Sequence, residues 1–324
     1  MKLLIENNKK INILLFITLM IVFIFLPFFL SGYWIRVFTT IFMYAVIAQG
    51  MNIMYGYMGY LPFGNVMFFG IGAYIAAIGM NRGLPFLAVL PLAALTAIFL
   101  SILFGIPVLK IRGHYFAIAT IGINGAIMGV VQNTTEITGG AMGTTLPIID
   151  KPPAVTYGYF YFAMLALMII ATLLLYLVIN SKLGYGIRSI KANEEAANSM
   201  GINTIYHKVT AWAISALFVS IAGALYAYWM SFIGPTEVFS TVVAVKVIVI
   251  MLIGGAGTIL GPIIGSFIVS MLSEVVWSSF LEYHLGVLGI AMIAILFFAP
   301  KGIVGTMDDF IKNRGLRLRK KVSV

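Results

Sequence analysis

The 324-residue sequence contains no cysteine, which excludes thiol catalysis, iron-sulfur ligation and any cysteine-containing zinc site. With no thiol to oxidise, the redox compartment goes unmarked. Charge is equally scarce: Asp, Glu, Lys and Arg make up 9% of the chain, against ~25% in soluble domains. With 61% hydrophobic residues and a mean hydropathy of +1.06, too little polar surface exists to face water, so lipid is the solvent. Histidine occurs three times, at 114, 207 and 284, and there is no H-E-x-x-H, G-x-S-x-G or G-x-x-x-x-G-K-[ST]. Enzyme chemistry has no footing, and any nucleotide hydrolysis must come from another polypeptide. Basic residues outnumber acidic ones, giving +10, but they sit at the ends of apolar stretches. Membrane anchoring explains that placement and nucleic-acid binding does not.

What is present is a succession of apolar runs. A helix crosses the ~30 Å hydrocarbon layer with ~20 apolar residues. Ten runs of about that size occur, at 11–31, 37–55, 64–81, 85–109, 114–131, 158–180, 209–233, 240–254, 259–279 and 285–300. The expected fold is therefore all-α: one polytopic transmembrane domain over 1–324 with about ten helices. The third and eighth runs are short enough to be broken or re-entrant. Lys2, Lys9 and Lys10 precede the first run as in a signal peptide, but it ends in "LPFFLSGYW" without small residues for cleavage and reads as a retained anchor. With the N-terminus inside and an even number of spans, sixteen of the twenty basic residues face the cytoplasm. Arg36, Arg82 and Lys151 lie outside and Lys246 falls within a span. Both termini, including a basic tail at 306–324, are then cytoplasmic.

Two connections are long. The outer loop, 132–157, is rich in Thr, Gly and Pro, which suits ordered tight turns. The inner one, 181–208, is the most polar stretch outside the termini. Glycine clusters recur in "YGYMGYLPFGN" (55–65) and "GGAGTILGPIIG" (254–265), at corresponding places in opposite halves. That pairing predicts an inverted repeat with broken helices whose non-helical backbone lines a pathway. Close helix packing is the alternative, because Gly257, Gly261 and Gly265 lie four apart.

Within the inner loop, "LGYGIRSIKANEEAANSMGINTIYHK" reads as a short capped helix. Asn193 is its N-cap, Glu194 and Glu195 oppose the dipole in its first turn, and Gly201 supplies the left-handed position after Met200. A helix of about two turns needs a docking partner, and Ala196, Ala197 and Met200 form a small apolar face for one. A surface helix resting on its own protein has the same sequence pattern. His114, beside Lys110 and Arg112, reads as an interfacial anchor.

Glu195-Ala196-Ala197 followed by Gly201 matches the E-A-A-x-x-x-G loop of ABC import permeases. In that superfamily the loop forms the coupling helix inserted into a groove of the ATPase. "GHYFAIATIG" (113–122), "TGGAMGT" (138–144), "ISALFVSIAGALYA" (214–227), "IGGAGTILGPIIG" (253–265) and "APKGIVG" (299–305) resemble, in the same order, permease subunits of branched-chain amino-acid importers. The resemblance covers roughly residues 35 to 305, and "GHYFAIAT" looks like the longer, M-type subunit. It implies a complex with a homologous second permease, two ATPase subunits that bind ATP, and an extracytoplasmic binding protein, in the plasma (inner) membrane of a bacterium or archaeon. No cofactor is implied for this chain. Leucine, isoleucine and valine are the expected cargo; urea, other small amides and other amino acids are carried by similar importers.

Polar residues inside spans are the expected translocation path, since each is costly facing lipid. Gln49 and Asn52 share a helix face, as do Thr120 and Asn124, and Asn65 adjoins the first glycine cluster. Interhelical hydrogen bonding accounts for them equally well. Lys246 and Glu274 fall at similar depth from the acidic residues Glu237 and Glu282, which allows an intramembrane ion pair. Separate solvation of each charge is the alternative. An ion-coupled secondary transporter is the rival class, but it needs a titratable network larger than these two residues and gives the E-A-A loop no purpose.

Overall fold

The computed structural model describes residues 23–149 and 151–279 and the isolated positions 286, 289 and 302. Nearly all of this is helix. Helix α1 (Gly32–Asn52) runs on as a π-helical turn over Ile53–Tyr57. After a 3₁₀ turn at Phe63–Asn65 come α2 (Val66–Asn81), α3 (Phe86–Val108) and α4 (His114–Asn133). A short α5 (Thr135–Thr138) and strand β1 (Thr144–Thr145) form the following loop. Then come α6 (Pro153–Ile179), α7 (Lys182–Ala192), α8 (Glu194–Ser199) and α9 (Thr204–Met230). Strand β2 (Phe232–Ile233), α10 (Pro235–Val238), α11 (Thr241–Gly254) and α12 (Gly261–Ser279) complete the described chain.

Among the described residues, seven helical segments are long and apolar enough to cross a membrane, and Gly261–Val276 is a shorter apolar helix. They answer to the second through ninth apolar runs. The first run is described only from residue 23, and the tenth, with Glu282, "APKGIVG" save Gly302, and the basic tail, lies outside the described residues. The eighth run is unbroken over α11, with the short α10 set off before it at Phe239–Ser240. The third is an unbroken helix after its 3₁₀ start.

The core is built on α1, α2 and α9, and α9 packs on α2 and α3. Small residues make this contact: a Cβ on Gly72 would lie 1.9 Å from the Ser220 carbonyl oxygen, and one on Gly223 would lie 2.0 Å from that of Phe69. Trp212, Phe68 and Phe116 fill the space beside it with edge-on rings. In α3, α4 and α6, Leu87, Leu95, Phe99, Ile118 and Leu177 point outward, which a lipid-facing surface requires.

The bundle has two chemically different ends. Loop residues 109–113 and the 181–203 segment meet at one end, which carries Lys110, Arg112, Lys182, Arg188, Lys191 and Lys208. The 132–157 loop lies at the other, with Arg36, Arg82 and Lys151. Strand β1 pairs antiparallel with β2 (Thr144 opposite Ile233), and Asn81 Nδ2 donates to the Thr145 carbonyl at 2.9 Å.

Candidate functional site

At the basic end, Asn193 is extended and breaks the chain between α7 and α8. Its Oδ1 accepts from the backbone N–H groups of Glu195 and Ala196, both at 3.0 Å, which caps α8. Gly201, at φ +83°, closes the helix; its N–H reaches the Asn198 carbonyl while Ile202 N–H reaches that of Ala197. The capped helix is therefore formed. Its apolar face is divided, however, and this corrects the expectation that Ala196, Ala197 and Met200 point the same way. Ala197 is buried against the bundle, whereas Ala196 and Met200 face outward, Met200 with 84% exposure. One residue is about 100° on a 3.6-residue helix, so neighbours Ala196 and Ala197 straddle the boundary of the docked side.

Glu194 holds this helix in place. Its carboxylate lies 2.6 Å from Lys208 Nζ and 3.3 Å from Arg112 Nε, and it accepts the Tyr60 hydroxyl. Lys208, nearly inaccessible, also donates to the Leu109 carbonyl at 2.6 Å. Burial works to raise the Glu194 carboxyl, but hydrogen bonds from Lys208 and Tyr60 and the charges of Lys208 and Arg112 outweigh it and hold it below the usual range. The Tyr60 hydroxyl is pushed up, first by burial and then by its bond to Glu194. Beside it, the more exposed Glu195 takes Arg112 Nη1 at 3.0 Å. One carboxylate thus joins α8 to the segment after α1, to the loop between α3 and α4 and to α9, and through Lys208 it is linked to Leu109 after α3. Sequence reading assigned Glu194 to the helix dipole and missed Lys208, Arg112 and Tyr60. The available signal was a lysine at the polar border of an apolar run.

Helix α7 makes a second link. Lys191 Nζ donates to the Gly56 carbonyl at 2.5 Å, an oxygen within the π-helical turn. That turn is where the two glycine clusters meet. Asn52 Nδ2 donates to the Thr258 carbonyl and its Oδ1 accepts from Gly257 N–H, both at 2.8 Å; Gln49 Nε2 donates to the Ile259 carbonyl at 2.8 Å and to Thr172 at 3.2 Å. Gly257, at φ +81°, sits against Gly56 with no room for a side chain. Broken backbone and close packing, read from the sequence as alternatives, coexist: Gly261 and Gly265 lay α12 directly on α11.

The remaining polar span residues are also buried and engaged. Asn65 bridges Ser215 Oγ and Trp212 Nε1, Thr120 accepts from Gly64 N–H, and Asn124 Nδ2 donates to the Phe239 carbonyl at 2.9 Å. Gln49 Oε1 and Asn124 Oδ1 keep an unused acceptor.

Toward the opposite end, a cavity of about 740 Å³ opens among α1, α9, α11 and α12, with Phe69 of α2, Tyr157 of α6 and Glu237 of α10 completing its lining. Lys246 and Glu274 both line it, yet they do not form the expected ion pair: among the described residues every ion pair involves Glu194 or Glu195. The Lys246 ammonium instead lies 4.3 Å from the Tyr44 ring centroid, and Glu274 accepts the Tyr33 hydroxyl. No group of three or more His, Asp or Glu side chains among the described residues could hold a metal.

Many apolar spans, a broken helix pair at depth and a docked helix on the basic end define a multi-pass membrane permease. Residues 33–296 match the family described as "Branched-chain amino acid transport system / permease component", and the chain belongs to that family. It is 28% identical to the high-affinity branched-chain amino acid transport system permease protein LivM of Escherichia coli K12, over 90% of this chain and 74% of the relative. The probable LivM of Methanocaldococcus jannaschii is 22% identical, over 81% and 90%. LivH of Salmonella typhimurium is 26% identical, over 81% and 91%. The M-type assignment accords with these. The family is one of transport subunits, and this chain is not an enzyme. No solved structure matches the sequence.

Proposed function

We propose that the chain is the M-type permease of an ATP-driven importer for leucine, isoleucine and valine. It works in the plasma (inner) membrane of a bacterium or archaeon, with both termini in the cytoplasm. Its partners are a homologous second permease, two ATPase subunits and an extracytoplasmic binding protein. The observation that carries this reading is α8, a capped two-turn helix with Ala196 and Met200 free on its outer side and Glu194 clamped to three segments of the bundle. A helix so placed transmits a push at its outer side to α9 and to the ends of α3 and α4. Lys191 extends the contact to the π-helical turn at Gly56. Gln49 and Asn124, each with a spare acceptor, remain candidates for the path, while Asn52 and Thr120 are taken up by backbone groups at the glycine clusters and Asn65 by Ser215 and Trp212 on α9.

Two substitutions test the coupling role. Met200→Glu charges the free face, and Gly201→Val forces a β-branched residue toward φ > 0, which deforms the helix end. Both variants should insert and pair with the second permease normally. Each should lose ATPase co-purification, or the stimulation of ATP hydrolysis by loaded binding protein. Normal membrane levels with wild-type ATP coupling in both would remove residues 193–201 from this role.

A further inference from the structure

The cavity among α1, α9, α11 and α12 has features that packing alone does not call for. Tyr44, at its inner part, lies twelve residues into α1 counted from Gly32, ~18 Å of helical rise. Lys246 and Glu274 stand on the adjoining helices α11 and α12, and opposite charges in a membrane gain greatly from pairing. They stay apart nonetheless, one held over the Tyr44 ring and the other by the Tyr33 hydroxyl. Ser270, one turn before Glu274 on α12, lines the same cavity with its hydroxyl buried and without a partner. A buried hydroxyl of this kind calls for a ligand or water atom to complete it. Arg36 and Glu237 add one charge of each sign, so the lining is balanced. Met43, Phe69 and Val243 supply an apolar wall.

We propose that this cavity is a weak binding site for a free α-amino acid, with Lys246 and Ser270 receiving the carboxylate, Glu274 the ammonium and the apolar wall the side chain. Separated charges of both signs complement a zwitterion. They favour neither a bare cation nor a bare anion, and an uncharged amide such as urea has no use for them. The inference rests on the reading of the chain as an amino-acid permease and assigns that function a place in the fold.

The test is equilibrium binding of labelled leucine to the purified complex of permeases and ATPases, without binding protein. Isoleucine should displace the label. Leucinamide, which lacks the carboxylate, and 4-methylpentanoate, which lacks the ammonium, should compete roughly tenfold less well or worse, and urea not at all. Lys246→Met should weaken leucine about tenfold and leave leucinamide unchanged, while Glu274→Gln does the same with respect to 4-methylpentanoate. Ser270→Ala provides a milder variant, and the wild-type competition series is decisive by itself should a variant fail to fold. A complex that transports leucine but binds it nowhere into the roughly millimolar range, or binds all competitors alike, overturns the site while leaving the transport function intact. If the complex transports no α-amino acid, the underlying function fails and the site with it.

Discussion

Lys208 and Glu194 make each other affordable. A lysine 2% exposed at its side chain and a carboxylate 12% exposed would each be costly alone beside lipid-embedded helices, and each is fully hydrogen-bonded here. Removing one partner of such a pair costs ~3–5 kcal/mol. Lys208→Met and Glu194→Gln should each lower the unfolding midpoint of the solubilised protein, and the double substitution should lose clearly less than their sum. Lys246→Met and Glu274→Gln should depart from additivity much less, because no ion pair joins those two residues. Simple additivity at Glu194 and Lys208 would mean the clamp is not formed. The lowered pKa of Glu194 sets a pH window as well. Its contribution is fully present above the ordinary carboxylate pKa of ~4.3 and is lost as pH falls through the lowered value. Hydrogen-exchange protection across 194–201, taken relative to the intrinsic exchange rate at each pH, should therefore be unchanged between pH 7 and about pH 5 and fall only below about pH 4. None of these partners was legible in the sequence, since Tyr60, Arg112 and Lys208 are far apart along the chain and ion pairs are set by tertiary contact.

At the scale of elements, the capping of α8 was readable because Asn193 and Gly201 act through local backbone geometry. Which side of α8 faces the bundle was not, because two alanines and a methionine carry no such information. Ala197→Glu is consequently a substitution of a buried position: it should undock α8 and lower stability, whereas Met200→Glu should leave stability unchanged and affect only partner binding. Thermal unfolding of the permease alone separates the two. Asn193→Ala should cost ~1 kcal/mol through the lost cap, and Gly201→Asn should be tolerated where Gly201→Val is not. The glycine clusters were recognisable as breaks, and their meeting through Asn52 and Gly257 follows from polar side chains seeking the carbonyls and N–H groups that a broken helix frees.

For the whole molecule, hydropathy located the described spans to within a few residues, since lipid leaves helix as the means for a single apolar segment to satisfy its backbone. Charge sorted the described ends equally well: Lys110, Arg112, Lys182, Arg188, Lys191 and Lys208, the described residues among those assigned to one side, gather at one end of the bundle. The 740 Å³ cavity was beyond sequence reading, because its walls come from seven helices that no local pattern relates. Sidedness has a direct assay, as the chain contains no cysteine to give background. Thr145→Cys should react with an impermeant maleimide in intact cells, and Ser199→Cys only after permeabilisation; the reverse would invert the topology.

The central claim is that α8 seats in an ATPase, and Met200→Cys carrying a benzophenone maleimide probes that contact in the assembled membrane complex. Irradiation should yield a covalent adduct whose second component is a nucleotide-hydrolysing subunit with a G-x-x-x-x-G-K-[ST] loop, and a probe at Thr145→Cys should yield none. Full transport activity together with no ATPase adduct from position 200 would contradict the account.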